Sequence, residues 1–327
     1  MNRRTLLRAA AGVLVLAAGL SAAAPAVQAQ DTKTVCVYDP SGKNGDAFKQ
    51  AVKYQTAAAG MGVTLTLKPY TDEAIAAQDF ANKQCDAALL TGVRAQKFSK
   101  ASYSVEALGL LESYDDLGSA IKVLSKERAS RLMVSGDYEV AGIYPAGAVY
   151  LYVGDKNTAD LRALAGKKIA TLTFDDAAMT MVRHVGATPV PADIGTFASL
   201  FNEGGVDVCY APATAYNPLE LHRGLGETGG IIRFPVSQLT LQLLIRSEEF
   251  PAGFGLQSRA WAASQFDTLM GVVKKGEASV PAKHWVELPA EDHQLYRDML
   301  TKVRGELTAK GQYDPTTVAL LEQLTGQ

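Results

Sequence analysis

DLRALAGKKIATLTFDDAAMTMVRHVGATPVPADIGTFASLFNEGGVDVCYAPATAYNPLELHR, residues 160–223, holds the pattern from which the rest of the chain can be understood. Asp160 opens a capped helical turn over 160–165, and Gly166 ends it. Residues 168–172 form a short apolar strand that runs into the polar group Thr173, Phe174, Asp175 and Asp176. A helix is predicted from about 177 to 184; it stops at Gly186, and Pro189 and Pro191 punctuate the next few residues. A second helix, about 194–202, stops at Gly204 and Gly205, and a second apolar strand over 206–210 ends in Ala211 and Pro212. Strands alternating with helices imply parallel pairing and an α/β layer. Ligands in such layers sit beyond the carboxyl ends of strands, here near 173–176 and 212–217.

The chain before this stretch repeats the theme. Residues 34–39 (TVCVYD) make a strand, 40–45 a polar turn, and a helix runs on to about 59. The turn has a Gly-x-x-Gly flavour but lacks the Gly-Lys-Ser/Thr of a phosphate-binding loop, which favours a plain strand-to-helix turn. Residues 63–70 alternate as a half-buried strand does, Thr71 is the predicted cap of a helix through 83, and 86–91 is a third strand. The carboxyl ends of these strands carry Ser41, Asn44, Tyr70, Thr91 and Arg94. Two readings are open for Arg94: a cationic fork for an anionic group, or a salt bridge to a neighbouring helix.

Residues 106–116 and 117–130 are mostly helical by period. Two long extended runs then stand out, 138–153 with Pro145 and Gly147 inside it, and 231–246 broken at Pro235. Strands of that length, kinked by Pro and Gly, suit a hinge crossing between two sheets. Residues 258–274 and 290–309 are amphipathic helices, and Asp314 and Pro315 begin a last short one. The expected organisation is two lobes, each a sheet flanked by helices: 30–147 plus 236–276, and 148–235 plus 277–327 with the C-terminal helices.

A chain of 327 residues, 47% hydrophobic and 20% charged with net charge −2, is ordinary globular material, and it lacks the basic block that nucleic acid would call for. Arg3, Arg4 and Arg8, an Ala/Leu/Val run over 9–24 and small residues at 27–29 predict a signal peptide over 1–29. Its first residues resemble a twin-arginine signal, with an ordinary secretory signal as the alternative. The mature protein is expected in the periplasm, soluble and monomeric. Cys36 and Cys85 lie near the starts of neighbouring strands and are predicted to form a disulfide, against the alternative of two buried thiols; Cys209, in an apolar strand, is a core residue. The four histidines are scattered singly and the cysteine spacing suits no zinc site, so neither metal nor cofactor is expected.

The opening stretch resembles TRAP-type (DctP-like) periplasmic solute-binding proteins. LRALAGKKI at 161–169 is similar to their DLKGLKIR turn, VGATPVP at 185–191 to LGASPVP, and LFNEGGVD at 200–207 to LQTGVVDG. Ala211, Pro212, Tyr216 and Asn217 stand where that family has its ENP loop. The AdeT-type subfamily is more similar still, in VCVYDPSGKNGDAFK, QCDAALLTGVRA, DDAAMTMVRHVGA and YNPLELHRGLG. Its members often carry an RND-type efflux or aminoglycoside-resistance label. An RND pump needs many membrane spans, and no such spans follow the signal region here.

One departure bears on chemistry. The TRAP pattern places an arginine after the GLKI strand to grip a carboxylate, and this chain has Ala170 there. A methyl group cannot replace a guanidinium. The expected ligand is therefore neutral or cationic, with Asp175 or Asp176 as counter-charge and Thr173, Tyr216, Asn217 and Arg94 as polar contacts; the alternative is that one of the two aspartates only caps the next helix. No G-x-S-x-G, H-E-x-x-H or phosphate-binding motif supports an enzyme, and His184 and His222 sit where capping or surface histidines do. A solute-binding protein serving an inner-membrane transporter is the favoured expectation, with a periplasmic adaptor acting through protein contacts as the alternative.

Overall fold

The structure, a computed structural model, describes residues 31–327; the predicted signal peptide lies outside the described residues. The apolar runs become β1 (Asp31–Tyr38), β2 (Val63–Tyr70), β3 (Ala87–Thr91), β4 (Val134–Ser135), β5 (Tyr138–Val153) and β6 (Lys168–Leu172). They continue with β7 (Thr188–Ala192), β8 (Val208–Pro212), β9 (Gly230–Ile232), β10 (Ser237–Arg246) and β11 (Trp285–Val286). Among the described residues these form one mixed sheet of eleven strands whose main order is β2-β1-β3-β10-β5-β8-β6-β7. β2, β1 and β3 are mutually parallel on one side, and β8, β6 and β7 on the other. The antiparallel pair β5 and β10 joins them.

Alternation along β1 shows how the sequence builds both faces. Val35 and Val37 pack with Phe48, Tyr54 and Leu65 on one side, while Cys36 and Tyr38 pack with Phe80 and Leu90 on the other. Cys36 and Cys85 are disulfide-bonded with Cα atoms 5.8 Å apart, which ties β1 to the start of β3. Cys209 is a buried free thiol in the core of the second lobe.

β5 spans both lobes: its residues up to Val149 pair with β10, and those from Val149 to Val153 pair with β8. The ladder with β10 slips between Leu239 and Thr240, where Pro145 and Gly147 face consecutive partners and Ala146 bulges out. Gly147 has φ +122°, a backbone conformation that suits glycine. The kink anticipated from Pro145 and Gly147 is thus a β-bulge.

Several local expectations need correction. Residues 106–116 are not a helix: a 3-10 turn over Ser104–Glu106 gives way to irregular chain, and the helix begins at Tyr114, where Ser113 and Asp116 form a capping box. Gly109, at φ +63°, and close packing on Leu300 interrupt the periodic pattern there. Pro189 and Pro191 do not mark a loop but lie in β7, an edge strand that pairs on one side alone and so tolerates their missing N–H groups. Asp72, not Thr71, caps the helix Glu73–Ala81, accepting from the N–H groups of Ala74 and Ile75. The helix expected over 258–274 is two, Phe254–Ser264 and Phe266–Ala278, meeting at Gln265. The helices Ala290–Ala309 and Pro315–Thr325 pack beside both lobes: Arg304 donates to the Leu108 carbonyl at 2.9 Å, and Gln312, in the turn between the two helices, donates to the Asp176 carboxylate at 2.8 Å. No helix among the described residues is long and apolar enough to cross a membrane.

Candidate functional site

A cavity of about 380 Å³ lies between the lobes, in the range that suits a small organic ligand. Its wall comes from strand carboxyl ends on both sides: Tyr38 and Asp39 after β1, Thr91 and Val93 around β3, Leu172, Phe174 and Asp175 after β6, and Tyr210 to Pro212 from β8. Ala146 and Val149 of β5 and Ser237, Leu239 and Leu241 of β10 supply the floor where the chain crosses. Most of the wall is aliphatic or aromatic, including Met181, Ile194, Phe197 and Phe174.

The polar groups on this wall are mainly carboxyls and hydroxyls. Asp39, Glu73, Glu106 and Asp175 line it, with Tyr38, Tyr103, Tyr210 and Tyr313, and no Lys, Arg or His is among the lining residues. Glu106 is buried; its Oε1 accepts from the Thr240 N–H at 2.7 Å and the Thr240 hydroxyl at 2.6 Å. Thr240 is steadied by Gln242, which donates to it at 3.2 Å and pairs with Ser102. Desolvation pushes the Glu106 carboxyl up to about 8; the Thr240 donors oppose this, while the negative charges of Asp175 and Glu73 add to it. Gly92 makes the close fit possible, since a Cβ there would collide with the Glu106 carboxyl.

Asp175 is likewise buried and raised by desolvation, although it accepts from the Ala178 N–H at 2.9 Å as helix cap and from the Tyr210 hydroxyl at 2.9 Å. Glu73 is raised by desolvation too, offset by the Thr91 N–H at 2.6 Å and by Arg94, whose Nε lies 3.5 Å from Glu73 Oε2.

Of the residues singled out in the sequence, Thr91 and Asp175 line the cavity. The other eight are placed elsewhere. Arg94 is buried against Glu73 and stacks 3.4 Å from the centroid of the Phe174 ring, so its charge is spent within the protein. Tyr70 donates to Asp79 at 2.5 Å, away from the wall. Ser41 and Asn44 lie in the turn after β1, where Asp39 accepts from the Ser41 N–H at 2.8 Å. Thr173 is exposed and reaches Asp193 at 3.5 Å; Asp176 is exposed and bonded to Gln312. Tyr216 is buried in the second-lobe core between the rings of His222 and His284, and Asn217 is exposed, donating to Ser279 at 3.0 Å. Ala170 is fully buried among Phe197, Phe201 and Cys209 and is absent from the wall.

Glu106, Glu73 and the four tyrosines are not evident from sequence. Glu106 is hidden in an apparent helical period, and Glu73 reads as an ordinary first-turn acid. What places Glu106 is a tertiary contact: the Ser237 hydroxyl donates to the Glu106 carbonyl at 2.6 Å and sets that segment against β10.

A mixed sheet whose two parallel wings meet at antiparallel crossing strands, with a cavity at the strand ends between them, is the architecture of a TRAP-type solute-binding protein. A Ralstonia eutropha H16 TRAP periplasmic solute-binding protein with bound (S)-2-acetolactate superposes with TM-score 0.71 at 12% identity, covering 90% of this chain and 98% of that one. The periplasmic ectoine-binding protein of a Halomonas elongata TRAP transporter gives TM-score 0.69 at 13% identity, covering 90% and 98%. The model for the family "Solute-binding protein AdeT 1/2" matches residues 56–327, and the chain belongs to that family. It is 39% identical over 288 residues to "Probable solute-binding protein AdeT1" of Acinetobacter baumannii, covering 88% of this chain and 95% of that one.

Proposed function

We propose that this is an exported periplasmic solute-binding protein that captures a small molecule in the interlobe cavity and presents it to a membrane transport partner. The observation that carries the reading is the cavity itself, assembled from strand carboxyl ends of both lobes over the β5–β10 crossing. The Pro145–Gly147 bulge supports a hinge at that crossing, with lobe boundaries at 30–147 plus 236–276 and 148–235 plus 277–327. The ligand is neutral or cationic. Four carboxyl groups and no basic side chain line the cavity, and Ala170 offers no charge, which supports this preference.

Thermal-shift screening of the exported, processed protein against metabolites and aminoglycosides, followed by native mass spectrometry of the hits, tests the reading. A ligand-dependent rise in melting temperature with one ligand retained per chain is expected; a protein stabilised solely by another protein, or one that turns the hit over, would sink it. For a hit, Asp175→Ala is expected to weaken binding and Asp176→Ala to leave it unchanged, because Asp175 lines the cavity and Asp176 faces solvent. Unchanged affinity in both variants removes Asp175 from the site.

A further inference from the structure

We propose that the ligand is a small organic cation, one ammonium group on a largely apolar body, with its charge held between Glu106 of the first lobe and Asp175 of the second. This rests on the solute-binding reading and names the chemical class that the same cavity takes.

Of the four lining carboxylates, Glu73 has a cation beside it, Arg94, with Nε 3.5 Å from Oε2, and Asp39, without an ion-pair partner among the described residues, accepts from the backbone N–H groups of Ser41 and Phe48 at 2.8 and 3.1 Å. Glu106 and Asp175 have no ion-pair partner among the described residues, although both are more than nine-tenths buried, at 4% and 6% exposure. Both Thr240 hydrogen bonds go to Glu106 Oε1, Oε2 has no side-chain or backbone donor among the described residues, and Glu106 lines the cavity. A carboxyl held in a water-poor site without a counter-ion costs folding free energy, and a cationic ligand supplies the missing partner.

The two groups line the same cavity as Tyr103 and Tyr313, and the charge of Asp175 acts on Glu106 and on both tyrosines. The two rings sit with centroids 5.4 Å apart, and Tyr210, bonded to Asp175, adds a third. Aromatic faces attract ammonium groups and add to what the carboxyls supply. A carboxylate entering the same place would find no basic group on the wall to pair with. Beyond this pole the lining turns to hydrocarbon such as Leu108, Met181 and Ile194, which suits an apolar body and not a polyhydroxylated polycation. Because the two carboxyls come from different lobes, the cation acts as the counter-ion that lets them approach.

The test is calorimetric titration of the full mature chain with matched amines, alcohols and carboxylates on shared apolar bodies, for instance phenethylamine, phenethyl alcohol and phenylacetate, and cyclohexylmethylamine with its alcohol and acid. Amines are expected to bind at least about tenfold more tightly than their alcohols, and carboxylates more weakly than both. Glu106→Gln, which keeps an acceptor for Thr240, and Asp175→Asn, which keeps the helix cap, should each lower amine affinity about tenfold or more and leave alcohol affinity unchanged. Circular dichroism of each variant confirms that it is folded. Alcohols or carboxylates binding as tightly as the amines, or amine affinity untouched in both variants, overturns the cation class. A melting shift produced solely by acids or neutral metabolites also overturns it while leaving the solute-binding reading intact; a protein that takes no small molecule at all removes both.

Discussion

Glu106 couples the cavity to the stability of the whole protein. Its folded-state carboxyl titrates at about 8, against 4.5 for the ordinary value that the unfolded chain approaches. Below 4.5 both states are protonated and the residue is neutral in the balance. As pH rises from there towards 8, the unfolded chain gives up a proton that the folded chain retains, so stability falls by at most about 1.4 kcal/mol per pH unit and levels off above 8. Glu106→Gln removes this slope. The melting temperature of the variant relative to the parent is therefore expected to climb between pH 4.5 and 8, and a difference that stays flat across that window would refute the assignment. Ala170 and Asp175 are legible as residues because their positions follow directly from strand and cap patterns. Arg94 is not. A side chain's presence at a strand end can be read from the sequence, but the partners that use up its charge, Glu73 and Phe174, come from other segments.

At the scale of elements, regular periodicity is the dependable signal. β2, β6 and the helices Ile194–Asn202 and Ala290–Ala309 have the bounds the pattern predicts, because apolar spacing, glycine stops and acid-rich starts agree there. The segment after Glu106 and the proline-bearing β7 depart from the pattern because tertiary pairing overrides local preference. The bulge in β5 invites a direct probe. Gly147→Ala must hold a Cβ at φ +122° with Pro212 Cβ 3.2 Å away, so a loss of about 1–3 kcal/mol is expected in a urea titration. The disulfide is a second probe. It joins residues 49 apart in sequence, and the Cys36→Ala, Cys85→Ala double variant should lose on the order of 4 kcal/mol. Thiol counting in denaturant should find one reactive cysteine before reduction, the buried Cys209, and three afterwards.

For the molecule as a whole, several contacts bridge the lobes beside the cavity. Arg94 stacks on Phe174, Gln96 donates to the Phe174 carbonyl at 3.0 Å, and Arg304 donates to the Leu108 carbonyl at 2.9 Å. If the lobes hinge at the crossing, ligand should favour this closed arrangement, and small-angle scattering of the free and ligand-saturated protein should show a smaller radius of gyration in the latter. Identical curves would argue for a rigid receptor.

The strand order also constrains biosynthesis. β10 lies between β3 and β5, yet it is made only after the strands β6 to β9 of the second lobe have been synthesised. Until residue 246 is available, the sheet exists as two separate pieces, each with an unpaired edge facing the gap that β10 will fill. A nascent or truncated chain ending before Ser237 would present both edges to any neighbouring strand, and that interval is when the protein most needs shielding from aggregation.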